Sequence, residues 1–147
     1  NVEGLTPGIY HYSALQHSLE TVQTNFAYSA TELFTGQDWT EQMPAVIFLV
    51  ASLGRTSWKY SDPTAYRVVL IEAGHIAQNI LLACAENDLT GCPTAALSHS
   101  RIRSMLGLKR LTDTPVYAIT IGKPSAMTDQ IIPVETIQKQ ILSDRAA

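Results

Sequence analysis

Lys59-Tyr60 is an adjacent pair that could move a proton. It stands just before a long helical pattern, where side chains can project into a cleft. A free lysine titrates at about 10.4, whereas a useful base sits at about 7–8. Burial or a neighbouring cation can favour the neutral amine, and an ammonium beside a tyrosine favours the phenolate. The same two residues also describe a solvated lysine beside a core tyrosine, and their types alone leave both readings open.

A second stretch, Gly91-Cys92-Pro93-Thr94-Ala95-Ala96, combines glycine, proline and small side chains. Main-chain N–H groups in such a segment can approach a flat ligand closely. A tight helix-to-strand turn would use the same residues. His75, Gln78 and Asn79 form a polar patch on the helix between these stretches, suited either to catalysis or to a subunit contact. No metal site is expected, since His11, His17, His75 and His99 have no ligand spacing. Cys84 and Cys92 read as two free, buried thiols of a reducing compartment, which implies a cytoplasmic protein.

These residues need elements to hold them. From Ala65 to Asp88 only Gly74 interrupts a helical pattern. Val69, Ala73, Ile76, Ile80 and Cys84 fall on one side, with Leu70, Ala77 and Leu81 beside them. Arg67, Glu72, His75, Gln78, Asn79 and Glu86 take the opposite arc, so the 3.6-residue period is clear. Asp62 or Ser61 can cap the start, Pro63 suits the first turn, and Leu89-Thr90-Gly91 ends the helix. This helix is expected to be the spine of the core.

Elsewhere, Gly8–Tyr12 and His17–Thr24 predict a hairpin around a turn at Ser13–Gln16. Ala30–Gln37 predicts a short helix and Asp38–Met43 a polar connection. The apolar run Ala45–Ser52 predicts a buried central strand, followed by a loop over Gly54–Ser57. Ser98 can cap a helix over His99–Leu106, stopped by Gly107. Lys109–Thr114 reads as a charged loop and Val116–Ile121 as another buried strand. Ser125–Gln130 reads as a linker and Pro133–Ser143 as a final helix. The order of elements gives an α+β fold, a mostly antiparallel sheet packed by helices around a long central helix.

The 147 residues, net charge of −3 and 46% hydrophobic content suit one soluble domain. The Lys and Arg residues form no block, so a nucleic-acid partner is not expected. The longest apolar runs, Ala45–Leu53 and Ile80–Ala85, are too short to span a membrane. The start at Asn1, without methionine, reads as a piece of a longer protein.

The residues also carry a resemblance. In order, they are Gly4-Leu5, Pro7-Gly8-Ile9-Tyr10 and Tyr12; Trp58-Lys59-Tyr60; Ala65-Tyr66-Arg67; Glu72-Ala73-Gly74-His75 with Gln78-Asn79; Leu89, Gly91 and Pro93; and Tyr117 through Gly122 with Pro124. From about Val2 to Pro124 the chain resembles the nitroreductase superfamily. It is most similar to its SagB-type branch, which includes azoline-oxidising flavin enzymes and peptide-synthetase oxidase domains. The resemblance implies a nitroreductase-like domain over residues 1–124, incomplete at its N-terminus, with residues 125–147 as a C-terminal extension. It implies FMN held at a homodimer interface. Lys59 and Tyr60 would be the catalytic pair, taking a proton from the substrate ring. Pro93, Thr94, Ala95 and Ala96 would face the flavin through their main chain. The family's arginine-rich grip on the FMN phosphate has no counterpart in these residues, which leaves Lys123 as a candidate cation there.

Three functions follow as expectations. The first is FMN-dependent dehydrogenation of thiazoline or oxazoline rings in a peptide or carrier-protein-bound substrate. The second is a general NAD(P)H-dependent nitroreductase or flavin reductase. The third is a non-catalytic dimerisation half that has lost FMN. The Lys-Tyr pair favours the first, since a plain hydride shuttle needs no such base.

Overall fold

The computed structural model describes residues 2–60 and 62–124. The expected linker and final helix beyond Pro124 lie outside them. Strand β1 (Ile9–Ser13) and strand β2 (Ser18–Gln23) form an antiparallel hairpin. A second sheet has the order β3 (Ala45–Ser52), β5 (Asp113–Gly122), β4 (Thr90–Thr94), with both pairings antiparallel. The α+β class with antiparallel pairing is therefore as the sequence implies.

The middle strand is β5, not β3. Ala118, Ile119 and Thr120 on β5 are wholly buried, while Ile47 and Val50 on β3 are each more than a third exposed. A continuous apolar run predicts burial on both faces. It does not say whether a strand has neighbours on both edges.

Helices cover the two faces of this sheet. On one lie α1 (Ala30–Leu33) and α4 (His99–Met105), packed around a buried cluster of Leu33, Phe34, Leu97, Ile102, Met105 and Ala118. Ser29 caps α1 with a full capping box to Glu32. The hairpin is tied to this layer by Gln23, whose side-chain amide donates to the Met105 carbonyl at 2.8 Å. The expected polar connection after α1 is a 3-10 turn over Asp38–Gln42. Glu41 on that turn accepts the Thr31 N–H at 2.8 Å, which holds its carboxyl below the usual range.

On the other face lies α3 (Thr64–Glu86), packed on β4 and β5. Ala65, Val69, Ala73, Ala77 and Cys84 are buried, whereas Leu70 and Ile76, expected inside, are each about two-fifths exposed. The inward residues are mostly small, so the helix backbone sits close to the sheet. Gly91 on β4 takes part in this approach: a Cβ there would lie 2.5 Å from Leu81 Cδ2. The long helix is central to the domain, as the sequence implies, and it packs on the sheet through small side chains, while a cluster of larger apolar side chains fills the α1–α4 face.

The expected stop at Leu89-Thr90-Gly91 is set earlier. The Leu89 N–H donates to the Cys84 carbonyl at 2.9 Å and that of Asp88 to Ala85 at 3.4 Å. This is a Schellman end with Asp88, at φ 54°, in the place usually held by glycine. Gly91 is thereby released to begin a strand. At the other end Asp62 accepts from the Thr64 hydroxyl and from its N–H at 2.7 Å. Those bonds hold the Asp62 carboxyl below the usual range. This link to α3 is therefore present at neutral pH and weakens as pH falls through the lowered value.

The loop expected over Gly54–Ser57 is a helix, α2 (Leu53–Lys59). Its first residue is fixed by a bond from the Leu53 N–H to the Thr112 carbonyl at 2.9 Å. Anchoring at that point outweighs the roughly 1 kcal/mol helix cost of Gly54. The helix ends at Lys59, where Tyr60 turns to extended geometry.

Candidate functional site

Lys59 closes the last turn of α2, and Tyr60 is its C-cap in extended geometry (φ −120°, ψ 106°). The Tyr60 N–H donates to the Thr56 carbonyl at 3.0 Å, so the pair hangs on the end of a short, anchored helix. Lys59 Nζ stands 5.4 Å from the centroid of the Tyr60 ring. That places an ammonium within cation–π range of the phenol. Both side chains are exposed. Any desolvation of this pair must come from a molecule that covers it, not from the chain's own core.

The register fixes what lies near α2. Ser52 at the end of β3 pairs with Asp113, and Thr94 at the end of β4 pairs with Ala118. Because β3 and β4 both run antiparallel to β5, they end at the same side of the sheet. The Lys-Tyr helix and the small-residue strand end thus leave the sheet in the same direction, from points five residues of β5 apart.

Pro93 and Thr94 belong to β4, and Ala95-Ala96 follow it. Pro93 removes one donor from an edge strand, a position that tolerates the loss. The Ala96 N–H donates to Thr94 Oγ1 at 3.1 Å, and Thr94 Oγ1 contacts Gln37 Oε1 at 3.4 Å. One of the main-chain donors expected to meet a flavin is therefore already engaged within the chain. Ala95 and Ala96 present only methyl groups, which leaves room for a planar ring beside the strand end.

Lys123 lies in the opposite direction along the sheet from α2. It lies just beyond β5, next to Gly122, which pairs with Thr90 at the far end of β4. Five residues of extended chain separate it from Ala118, about 17 Å. The sequence order that suggested a shared site gives no information on the direction of β5. His75, Gln78 and Asn79 are exposed on α3, as their arc implies. Among the described residues no cluster of His, Cys, Asp and Glu could hold a metal, and Cys84 is buried while Cys92 is exposed.

The sequence reading missed an open cleft of about 520 Å³ beside α2. Arg55 and Trp58 line it from α2, and Arg110, Thr112 and Asp113 from the opposite loop. Arg103 holds that loop through donor bonds to the carbonyls of Asp113, Leu108 (3.2 Å) and Arg110 (3.0 Å). The only sequence signal was the Arg55–Lys59 spacing of one helical turn. It was invisible while that segment was read as a loop.

An antiparallel sheet with one long apolar helix on a face, a Lys-Tyr pair at its rim and a small-residue strand end defines a nitroreductase-like α+β domain. The model of the nitroreductase family matches residues 8–123, and the chain belongs to that family. It is 27% identical over 119 residues to the trifolitoxin operon protein TfxC of Rhizobium leguminosarum bv. trifolii. That match covers 80% of this chain and 33% of TfxC, so the chain spans about a third of that relative's length. A solved E. coli microcin synthetase McbBCD complex with truncated pro-MccB17 bound contains a chain of the same fold. The TM-score is 0.72 and the identity 23%, over 85% of this chain and 47% of that one. The NADPH:FMN oxidoreductase of Vibrio harveyi shares the fold at a TM-score of 0.56 and 18% identity, over 80% of this chain and 60% of that one. The trifolitoxin likeness supports the SagB-type branch.

Proposed function

We propose that this chain belongs to an FMN-dependent oxidoreductase that dehydrogenates thiazoline or oxazoline rings in a peptide or carrier-bound substrate. The observation that carries this reading is the Lys59 ammonium held 5.4 Å from the Tyr60 ring on the side of the sheet where Ala95-Ala96 emerge. Bound FMN would supply a two-electron acceptor for the hydride. The chain's own part is to receive the ring proton on the member of the pair that is deprotonated once substrate covers it, the neutral Lys59 amine or the Tyr60 phenolate, and to exclude water from it. The edge of a flavin fits against the methyl groups of Ala95 and Ala96. Likeness to TfxC and to a fold found in a complex with a peptide substrate supports the choice of a peptide.

A general reductase using NAD(P)H would need no such pair. The non-catalytic dimerisation half is favoured by a specific observation: Lys123 is remote, and the Ala96 N–H is already taken. A visible spectrum separates the non-catalytic reading from the two flavin-enzyme readings. Purified full-length protein should be yellow and retain flavin through gel filtration; colourless protein that also fails to take up added FMN would establish the non-catalytic reading.

The outer face of α3 supports a homodimer. Val68, Ile71, His75, Gln78 and Leu82 recur at spacings of three and four residues, and all are exposed. At about 100° per residue this stripe lies directly opposite the buried one. By length and composition α3 could cross a bilayer. However, Arg67, Glu72, His75 and Gln78 within it would be costly in lipid, and a second copy suits the mixed stripe better. Sedimentation should show a dimer at micromolar concentration, lost in Ile71→Glu/Leu82→Glu. A monomeric parent would remove the dimer.

A further inference from the structure

The cleft between α2 and the 108–113 loop has a charge that the chain as a whole does not. The protein carries a net charge of −3, yet four of its ten Lys and Arg residues stand on the two segments that flank this cleft, Arg55, Lys59, Lys109 and Arg110, and Arg103 reaches the loop from α4. Asp113 is the single carboxylate on those segments, and it accepts a bond from the Ser52 hydroxyl at 2.7 Å. Arg103 is committed to holding the loop. Among the described residues, the side chains of Arg55 and Arg110 have neither a carboxylate nor a carbonyl partner.

The rim is apolar as well as basic. Trp58 is 89% exposed and Leu111, between two lining residues, is 92% exposed. Large apolar side chains standing free beside unpaired guanidinium groups are the composition of a binding surface. An Arg fork matches a carboxylate, and an exposed indole offers a flat apolar platform at low entropic cost. The cleft is open and not enclosed, which suits an extended chain better than a small molecule.

We infer that this cleft binds an acidic segment of a peptide, with Arg55 and Arg110 on its carboxylates and Trp58 against its apolar side chains. The inference rests on the reading above in taking a peptide as the occupant. Since Arg55 and Lys59 are one helical turn apart, a peptide held here would pass beside the Lys-Tyr pair. The cleft would then hold the substrate by a segment distinct from the ring that reacts.

The test uses the full-length protein and two fluorescein-labelled peptides, one of alternating Glu and Tyr and one of alternating Lys and Tyr. Fluorescence anisotropy should show salt-sensitive binding of the acidic peptide only. Arg55→Gln and Arg110→Gln should each weaken it about fivefold, as for an exposed charge pair. Trp58→Ala should weaken it too. All three residues are at the surface, so thermal unfolding should be unchanged. Equal binding of the two peptides, no binding of the acidic one, or full affinity in Arg55→Gln/Arg110→Gln would overturn the inference. The flavin spectrum of the same samples reports separately on the reading of the domain as an FMN enzyme.

Discussion

Lys59→Ala and Tyr60→Phe should each keep bound flavin and lose azoline oxidation by roughly 10²–10⁴ in turnover. The ring must give up a proton as its hydride leaves, and among the described residues Lys59 is the one lysine placed over an aromatic ring, 5.4 Å from the Tyr60 centroid. Both residues sit on the end of α2, away from the buried clusters, so neither change should unfold the domain. Groups that act as one unit lose little more when removed together, and the double variant should therefore be no slower than the worse single one by any large factor. Flavin content must be measured on the same samples, because α2 could instead shape the cofactor pocket. Parental turnover in both flavin-replete single variants would remove the Lys-Tyr role.

Phe34→Ala should be the most damaging single truncation in the described core. Phe34 is 1% exposed and stacks on Phe48, with ring centroids 5.8 Å apart and planes 12° apart. Leu33, Leu97, Ile102, Met105 and Ala118 enclose it. Removing a buried phenyl ring costs about 3–5 kcal/mol, part of it for the cavity left behind. For a domain of this size that lowers Tm by roughly 10–15 °C. Ile80→Asp, on the α3 face, is the useful comparison. Ile80 is only half-buried, and the new carboxylate can reach water. It should cost less than Phe34→Ala. If heating shows the reverse order, the dominant cluster is the α3 layer after all.

Periodicity and turn chemistry made most elements legible. The hairpin, the long helix, the strand over Ala45–Ser52 and the helix after Ser98 all depend on local patterns, and each was readable to within a few residues. The family was legible too, because its six short pieces occur in one order. The Lys-Tyr pair is visible as two adjacent residues, and its role rests on the proposal made above.

What the sequence could not supply is anything set by contacts between distant segments. Gly54 looks like a loop residue until the Thr112 carbonyl fixes the N-terminus of α2. Gly91 looks like a helix stop until the Schellman bonds of Leu89 and Asp88 end the helix first. Leu70 and Ile76 are as apolar as their buried neighbours, and only the close approach of small residues to the sheet decides which side of α3 faces in. Lys123 follows the end of β5 that pairs with the start of β4, and only the direction of β5 tells that it stands on the side of the sheet away from α2. The cleft basic at Arg55 and Arg110 joins residues 55 apart in sequence, and no local pattern encodes a charge that exists only when two segments meet. Local free energies are additive along a chain to a first approximation. Burial, register and shared charge are not, and those are what the tertiary structure decided.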